Sequence, residues 1–308
     1  MQKAKYSGVE WIGNIPKNWI IKRLKYMKNN EKNSFVDGDW IDSEYIEDSG
    51  IRYYTTGNIG DGIFKEQGYG YISENTFKKL KCKYMYPGDL VFSRLNAPYG
   101  RSCILPSKEE KCIIAVDNVV LRTNEDKRFL CYVTQTEGYH KSVEDYSNGS
   151  TMQRISRTNL GDIYFPLPTK KEQKLIADFL DEKVGTINSI IYDLNDQIEI
   201  LYKYKKQIIT ESVTTGLNKN VNFKDSGIDW MGKMPKHWIV KPLKYMFYMY
   251  AGGDVNEYDF SDIKEENYIY PIYSNSLEKK GLFGFASKYR FSGKTFTVTG
   301  RGDIGYAI

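Results

Sequence analysis

The fold of this chain is organised around residues 169–216, with the sequence TKKEQKLIADFLDEKVGTINSIIYDLNDQIEILYKYKKQIITESVTTG. Apolar residues recur along it in alternating steps of four and three residues, except at position 205, where the repeat has Lys205. They are Leu180, Val184, Ile187, Ile191, Leu194, Ile198, Leu201 and Ile208. This 3.5-residue period is typical of a coiled-coil seam. A helix with one apolar seam cannot bury that seam alone, so the pattern predicts a long helix that needs a partner helix.

Both ends of this segment carry helix-boundary signals. Thr169 and Glu172 have the spacing of a capping box, which satisfies two N–H groups at the start of a helix. Pro166 and Pro168 lie just before the segment, and Gly216 suits the left-handed position that ends a helix. At 1.5 Å per residue, the predicted helix is roughly 65–70 Å long.

The start of the chain is repeated after the predicted helix. Residues 6–27 are YSGVEWIGNIPKNWIIKRLKYM, and residues 225–246 are DSGIDWMGKMPKHWIVKPLKYM, at a constant offset of 219. The match indicates a duplicated domain start. The predicted organisation is a first domain at 1–168, a spacer helix at 169–216 and an incomplete second copy at 217–308. The second copy has no counterpart of residues 100–168.

Strand and turn patterns dominate the first domain, so the predicted fold class is α+β, a mixture of helices and strands around the long spacer helix. The predicted strands are Ile51–Phe64 with a central loop, Leu90–Ser93, Ile113–Val116 and Val119–Leu121. Phe77–Tyr84 is predicted as a short helix or a basic loop, and Phe129–Lys141 as a helix. In the second copy, strands are predicted at Tyr268–Tyr273 and Lys294–Thr299.

Composition and motifs give no catalytic site. The formal net charge is +5, the chain has two His and four Cys, and no Cys/His set has zinc spacing. No phosphate loop or dinucleotide fingerprint occurs. The longest uncharged apolar run, Tyr245–Gly253, is too short to cross a bilayer. The sequence therefore predicts a chain without metal, cofactor or membrane span, with reduced thiols packed in its interior.

Binding chemistry remains, and three groups of residues carry it. Lys side chains interleaved with aromatics suit phosphate contact. Arg and Asn suit bidentate contacts with guanine and adenine edges, and small hydroxyls suit backbone contacts. Each group is equally open to interpretation as an ordinary solvated loop or capped turn. The candidate DNA-binding residues are Arg52, Thr55, Thr56, Asn58, Lys79, Lys81, Lys83, Arg94, Asn96, Tyr99, Arg101, Arg154 and Arg157.

Four blocks carry a family resemblance: WIGNIPKNW at 11–19, GDLVFSR at 88–94, NGST at 148–151 and FPLPTKKEQKLI at 165–176. Together with the duplicated arrangement, they resemble the DNA specificity (S) subunit of type I restriction–modification systems, along the whole chain. The resemblance implies two target-recognition domains, each reading one half of a bipartite site in double-stranded DNA. It also implies helices that act as a spacer and dock methyltransferase subunits, and a restriction subunit that joins this core.

The resemblance implies further that the S subunit performs no chemistry itself. S-adenosylmethionine, ATP and Mg would be bound by partner subunits, in the cytoplasm of a bacterium or archaeon. This sequence departs from the family pattern in its second half, because neither a complete second recognition domain nor a second long helix is present. The sequence is therefore expected to be a fragment, a natural truncation, or a half-type subunit that forms a homodimer through its lone helix.

Two other functions stay open on the sequence alone. The chain could be the recognition part of a restriction enzyme that combines cleavage and methylation, or a coiled-coil scaffold without a DNA role. Genes for a separate methyltransferase and a translocase-nuclease beside this one would favour the type I system. A scaffold would show no salt-dependent DNA binding.

Overall fold

The computed structural model describes residues 4–68, 70–146, 154–256, 258–275 and 278–300, together with 305 and 307. The chain divides into two compact units, 1–203 and 204–308. The boundary between them falls inside the long helix, so the domain limits of 168/169 and 216/217 stay predictions. The NGST block at 148–151 lies outside the described residues.

Short strands and one very long helix make up the structure. The strands are β1 (Ala4–Tyr6), β2 (Asn14–Pro16), β3 (Ile20–Arg23), β4 (Phe35–Asp37), β5 (Ile51–Tyr54), β6 (Tyr71–Ile72), β7 (Leu90–Ser93), β8 (Ser102–Ile104), β9 (Cys112–Ile114), β10 (Asn118–Leu121), β11 (Tyr164–Leu167), β12 (Phe223–Asp225), β13 (Lys233–Pro235), β14 (Tyr270–Tyr273) and β15 (Leu282–Ala286). The α-helices are α1 (Glu74–Leu80), α2 (Lys127–Val133), α3 (Glu137–Glu144), α4 (Arg157–Asp162) and α5 (Lys170–Thr215). Single turns of 3₁₀-helix occur at Leu24–Tyr26, Ser43–Tyr45, Thr56–Asn58, Leu243–Tyr245 and Glu278–Gly281.

An antiparallel sheet in the order β4–β10–β7–β8 forms the centre of the first unit. Side chains alternate between its two faces, as the pleat of a strand requires. Leu90 and Phe92 of β7 belong to one hydrophobic core, whereas Val91 belongs to the other. In β10, Val119 and Val120 divide in the same way. Both faces of the sheet are therefore covered.

The covering layers differ in kind. On one face, the core includes residues of α2, α3, α4 and β11, and Ala177 from the start of α5. On the other face, Tyr54 and Ile114 belong to a second sheet, in the order β6–β5–β9. In that sheet β5 pairs antiparallel with β6 and parallel with β9. Phe77 of α1 packs on a third, smaller core beneath this sheet.

The long helix has the predicted limits and caps. The Thr169 N–H and hydroxyl donate to Glu172 Oε2 at 3.2 and 2.8 Å, and the Glu172 N–H donates back to Thr169 Oγ1 at 3.3 Å. These bonds from Thr169 lower the pKa of Glu172. At the other end, Gly216 has φ of +73° and its N–H donates to Ser212 O. The capping box and the left-handed terminus are both confirmed.

The predicted fold class is confirmed, with several differences in the elements. Phe129–Lys141 is two helices rather than one, because Thr136 accepts a hydrogen bond from the Tyr139 N–H and starts α3 anew. The second half of Ile51–Phe64 is a single bridge between Ile59 and Phe64, not a strand. The prediction of a strand at Lys294–Thr299 is wrong, since that segment has only an isolated bridge at Val298.

The second unit repeats the start of the first. The hairpin of β12 and β13 has the same register as that of β1 and β2, with Phe223 opposite Pro235 where Ala4 is opposite Pro16. A second hairpin, of β14 and β15, follows later in the unit. Among the described residues, no helix combines the length and the apolar character needed to cross a membrane.

Candidate nucleic-acid interface

One buried arginine holds two candidate DNA-contacting loops together. Arg101 precedes β8, and its guanidinium donates only to backbone carbonyls in the contacts described. In the first loop these are Ile59 O at 2.6 Å and Thr56 O at 2.9 Å. In the second loop they are the carbonyls of residues 95, 96 and 98, at 3.1, 2.6 and 3.3 Å. Burial lowers the pKa of Arg101, and nearby Asp61 opposes this shift. Arg101 therefore fixes the relative position of residues 56–59 and 95–98.

A second buried arginine, Arg94, directly follows strand β7 and joins two further segments. Its Nη2 donates to Val116 O at 2.7 Å, and its Nε lies 3.3 Å from Asp37 Oδ1. The backbone of Arg94 forms two further hydrogen bonds. Its N–H donates to Asp117 O, and its carbonyl oxygen accepts from the Ile155 N–H. The chain from Ile155 onward is thus tied to the loop that follows β7.

Four of the candidate DNA-binding residues are buried in the structure, and their contacts with DNA stay predictions. Arg94 and Arg101 were expected to reach base edges, but both guanidiniums are buried and engaged inside the domain. Arg52 is 3% exposed, and its Nη2 donates to Gly68 O at 2.6 Å, with Glu66 at 3.7 Å. Asn58 is also buried, because its side chain closes the turn that starts at Thr55 and donates to the carbonyls of residues 65 and 67. As placed, these four side chains shape the loops rather than project from them.

Other candidates lie on the surface of the same loops. Thr55 and Asn96 are exposed, and Thr56 is half-buried. Asn96 has φ of +61°, a left-handed conformation that Asn tolerates better than most residues. Tyr99 is half-buried and packs on the first core. The exposed polar residues of the two loops are therefore Thr55 and Asn96. The Thr55 hydroxyl already donates to Asn58 Oδ1 at 3.3 Å.

Two exposed arginines lie beside these loops. Arg154 forms a β-bridge with Leu95, and its Nη1 lies 3.9 Å from Asp117 Oδ1. Arg157, at the start of α4, lies 3.1 Å from Asp37 Oδ2. Both guanidiniums are open to solvent on one side, with side-chain exposures of 63% and 43%. The two aspartates are shared with Arg94, so the buried and the exposed arginines form one ionic network.

The three candidate lysines form a separate group around α1. Lys79 is exposed and its Nζ donates to the Tyr45 hydroxyl at 3.0 Å, which raises the pKa of Lys79. Lys81 is exposed and ends α1 in a left-handed conformation. Lys83 is half-buried and pairs with Asp39 through both its Nζ and its backbone N–H. Lys79 and Lys81 are therefore open to a phosphate, whereas Lys83 is already paired.

Sequence reasoning missed a further lysine of this region, Lys111. Tyr84 stacks on Phe77 with ring centroids 4.0 Å apart, and Lys111 lies 4.4 Å above the Tyr84 ring. The interleaving of Lys and aromatic residues along 77–86 was the available signal. It does not identify Lys111, which is distant in sequence and reaches Tyr84 only in the folded domain.

The predicted seam is a continuous exposed strip on α5. Leu180 and Val184 are half-buried, and the six residues from Ile187 to Ile208 are between 44% and 62% exposed. Ile190, Tyr202, Tyr204 and Ile209 flank the seam and are also more than half exposed. The apolar strip is therefore wider than the two positions per heptad that a minimal coiled coil uses.

The helix is anchored to the first unit by a residue of the FPLPTKKEQKLI block. Gln173 is fully buried, and its amide oxygen accepts from the Asp126 N–H at 2.9 Å. Its Nε2 donates to Glu125 Oε2 at 2.8 Å and to Pro168 O at 3.0 Å. Asp126 in turn caps α2 by accepting from the Arg128 and Phe129 N–H groups. This network fixes the direction in which α5 leaves the domain.

The four thiols offer no reactive centre. Cys82, Cys103, Cys112 and Cys131 are all buried and none forms a disulfide. Burial raises their pKa values, to about 12 for Cys103 and Cys112 and about 11 for Cys82 and Cys131. Within the residues that the structure covers, no three His, Cys, Asp or Glu side chains gather into a metal-binding group.

The profile of a protein family described as the type I restriction modification DNA specificity domain matches residues 16–200. This range is more than half of the chain and contains both loops held by Arg101. The chain belongs to this family. The matched range also includes Gln173, which anchors α5, and the seam residues from Leu180 to Ile198. The start of the long helix is therefore part of the family's shared domain.

Relatives of known class agree with this assignment. The type I restriction enzyme MjaVIII specificity subunit of Methanocaldococcus jannaschii is 26% identical, over 69% of this chain and 49% of its own length. The EcoKI specificity subunit of Escherichia coli K12 is 20% identical, over 76% of this chain and 48% of its own length. This chain thus spans about half the length of the curated relatives that it matches.

A solved structure supports the fold. A chain from a type I R-M system, studied for its complex assembly and conformational transition, superposes with a TM-score of 0.53 at 18% identity. The superposition covers 70% of this chain and 49% of the other. The similarity establishes the shared architecture of a mixed domain followed by a long helix.

Proposed function

We propose that this chain is the DNA-recognition subunit of a type I restriction–modification complex, and that its first domain reads one half of a bipartite site. The family assignment and the names of its relatives support this function. The chain itself carries out neither methylation nor cleavage, in keeping with the absence of any catalytic motif from its sequence.

The Arg101 contacts are the observation that carries the proposal. A loop that reads base edges must hold its polar tips in a fixed position, since each specific contact depends on hydrogen-bond geometry. The Arg101 guanidinium donates to carbonyls of two loops at once. The Arg94 carbonyl accepts from the Ile155 N–H and so holds the segment that contains Arg154 and Arg157. Such internal bracing leaves the exposed Thr55 and Asn96 side chains in position to contact bases.

The remaining cations suit the sugar–phosphate backbone. Arg154 and Arg157 each have one aspartate partner and an open side. A phosphate oxygen can share each guanidinium without dismantling the core, because the buried Arg94 holds the same aspartates. Lys79 and Lys81 offer further exposed charge at α1. Contacts of this kind set register and affinity and carry no sequence information.

The exposed seam of α5 suits assembly with partner subunits. A helix from another subunit would cover the seam, and the flanking residues Ile190, Tyr202, Tyr204 and Ile209 leave apolar surface for a second neighbour. We assign these surfaces to methyltransferase subunits, to which a restriction subunit joins. Those partners would bind S-adenosylmethionine, ATP and Mg. A second function as a half-type homodimer is favoured by one observation, the seam that no other described helix covers.

Methylome sequencing of cells with and without the gene tests the proposal. We expect one bipartite motif to be methylated only when the gene is present together with its methyltransferase gene. The purified chain, supplied with S-adenosylmethionine, should leave DNA unmodified. A methylome that does not depend on the gene, or methylation by the chain alone, would contradict the proposed function.

A further inference from the structure

A tight turn at residues 59–64 directly follows the first of the two loops held by Arg101. Ile59 and Phe64 form a β-bridge at its base, and both contribute to the core between the two sheets. Between them, the Gly60 N–H donates to Ile63 O at 2.9 Å and closes the turn. The 59–64 turn is therefore anchored in the interior of the domain at both of its ends.

The tip of the 59–64 turn carries an exposed apolar side chain. Ile63 is 58% exposed, whereas Ile59 is 1% exposed. The next residue, Phe64, packs edge-on against Tyr54 with ring centroids 4.9 Å apart. A single exposed Ile is ordinary on a protein surface. This one is informative because its backbone is fixed beside the loops that the proposed function assigns to DNA.

Two contacts hold the tip from outside the turn. The Gly62 N–H donates to the carbonyl of Ser102 in β8 at 2.9 Å. The Asp61 carboxylate lies 3.2 Å from His140 Nε2 of α3. The residues on the N-terminal side of Ile63 are thus attached to both the central sheet and a helix. These attachments give the Ile63 side chain a defined position on the surface.

The base of the 59–64 turn is held by the same residues as the neighbouring loops. The Asn58 side chain donates to Lys65 O at 2.9 Å, and the Lys65 N–H donates to Asn58 O at 2.8 Å. Ile59 O accepts from the Arg101 guanidinium at 2.6 Å. The turn therefore shares the support of the two loops whose exposed polar residues are in position to contact bases.

The charges near the turn permit the approach of DNA. The Asp61 carboxylate interacts with the nearby Arg101 guanidinium. Glu66 Oε1 lies 3.2 Å from Lys108 Nζ. Lys65 is exposed. Both acidic residues are thus balanced by cations of the domain itself, and Lys65 adds a positive charge that favours a phosphate backbone.

The surroundings of Ile63 favour DNA over a protein surface as the group that it contacts. Thr55, Asp61, Lys65 and Gln67 of the same segment are exposed polar residues. A protein interface has contiguous apolar surface at its centre. In the major groove, by contrast, the thymine methyl group is a single apolar group among hydrogen-bonding base edges. One apolar side chain among polar ones matches this pattern.

We propose that Ile63 contacts the C5 methyl group of one thymine in the major groove of the half-site that the first domain reads. The inference rests on the proposed function and adds an apolar specificity-determining residue to the polar ones. It selects an adenine–thymine pair in one orientation, because only thymine carries a methyl group at that edge.

Deoxyuridine tests this contact, because it keeps every hydrogen-bonding group of thymine and lacks only the methyl group. Methylome sequencing gives the motif, and duplexes are then made in which deoxyuridine replaces each thymine of the half-site in turn, on either strand. Binding of the chain in complex with the proposed methyltransferase partner is measured by fluorescence anisotropy. At one thymine, the replacement should weaken binding about fourfold, the effect of losing one buried methyl-sized group.

Variants of Ile63 link the effect to this side chain. Ile63→Ala should bind the thymine and deoxyuridine duplexes equally, whereas Ile63→Val, which keeps a branched apolar side chain, should retain most of the preference. Ile20→Ala is the matched control, because Ile20 is also 58% exposed and lies on β3, which pairs with β11. The Ile20→Ala complex should retain the fourfold preference.

Three results would overturn the inference. They are a half-site without thymine, no effect of deoxyuridine at any position, and an effect that persists in Ile63→Ala. Each of them leaves the proposed function intact as long as the methylated motif depends on the gene. Weaker assembly of Ile63→Ala with the methyltransferase, at an unchanged preference for thymine, would assign Ile63 to a protein contact instead.

Discussion

Replacing Leu194 with Asp should abolish the assembly that the α5 seam supports. Leu194 lies in the middle of the seam and is 51% exposed. Full burial of a Leu side chain is worth about 1.5–3 kcal/mol, so a partner helix that covers the open half gains about 1 kcal/mol there. Over the six most exposed seam residues, the gain is roughly 5–8 kcal/mol for one helix.

Asp at this position forfeits the apolar gain and places a charge in the contact. The cost of desolvating that charge without a partner is several kcal/mol. A total loss of about 3–5 kcal/mol corresponds to a dissociation constant raised roughly 150- to 4000-fold. We therefore expect the Leu194→Asp chain to lose its partner at micromolar concentration.

Size-exclusion chromatography with light scattering, on the chain co-expressed with the proposed methyltransferase partner, measures this loss. Ser189→Asp is the matched control. Ser189 is exposed and lies two residues from both Ile187 and Ile191, on the opposite side of the helix, so the same charge should change affinity by less than about 0.5 kcal/mol. Equal assembly of Leu194→Asp and Ser189→Asp would refute the role of the seam.

Three further predictions follow from single features of the first domain. Arg101→Ala should lower the free energy of unfolding by about 3–5 kcal/mol and abolish specific DNA binding. Arg101→Lys should not restore either property, because Lys lacks the planar set of donors. Urea unfolding and DNA-binding measurements report the two effects. Lys79→Ala should weaken binding to all sequences equally and flatten the salt dependence by about one ion, and a change of preferred sequence would contradict this. Burial raises the pKa of Cys103 and Cys112 to about 12. As the pH rises, the unfolded chain therefore loses these protons before the folded chain does. The free energy of unfolding should fall above about pH 8.5, by up to about 1.4 kcal/mol per thiol per pH unit. Cys103→Ala should reduce that slope.

The long helix could be predicted from the sequence because the residues that determine it act locally. The 3.5-residue spacing, the Thr169 and Glu172 pair and Gly216 all act within one or two turns. The structure reproduces each of them. The break between α2 and α3 shows the limit of the same reasoning. There a single side chain, Thr136, caps the start of α3 and so divides the predicted helix into two.

The candidate DNA-binding residues were only partly predictable, for a physical reason. Residue type shows that Arg94 and Arg101 are able to contact bases, but not whether their guanidiniums face solvent. Their carbonyl partners come from segments up to 61 residues away in sequence, brought close only by the sheet. The exposure of Thr55 and Asn96 could be predicted because they lie at turns, where polar side chains are usually exposed.

The second copy shows why sequence identity does not guarantee identical structure. Leu24 and Met27 of the LKYM sequence are buried in the first unit, whereas the equivalent Leu243 and Met246 are exposed in the second. The repeated sequence forms the same hairpin in both units, because this hairpin needs only its own two strands. The burial of Leu24 depends on α4 and β11, which lie outside the repeat, so the repeat alone does not determine it.

The central claim is that the first domain determines one half of a bipartite DNA target. Exchange of residues 28–165 for the equivalent segment of another family member, followed by methylome sequencing with the methyltransferase present, tests it most directly. We predict that one half of the methylated motif changes, while the other half and the spacing between them stay the same. An unchanged motif would show that sequence is read elsewhere in the complex, and a changed spacing would contradict the role of α5 as the spacer.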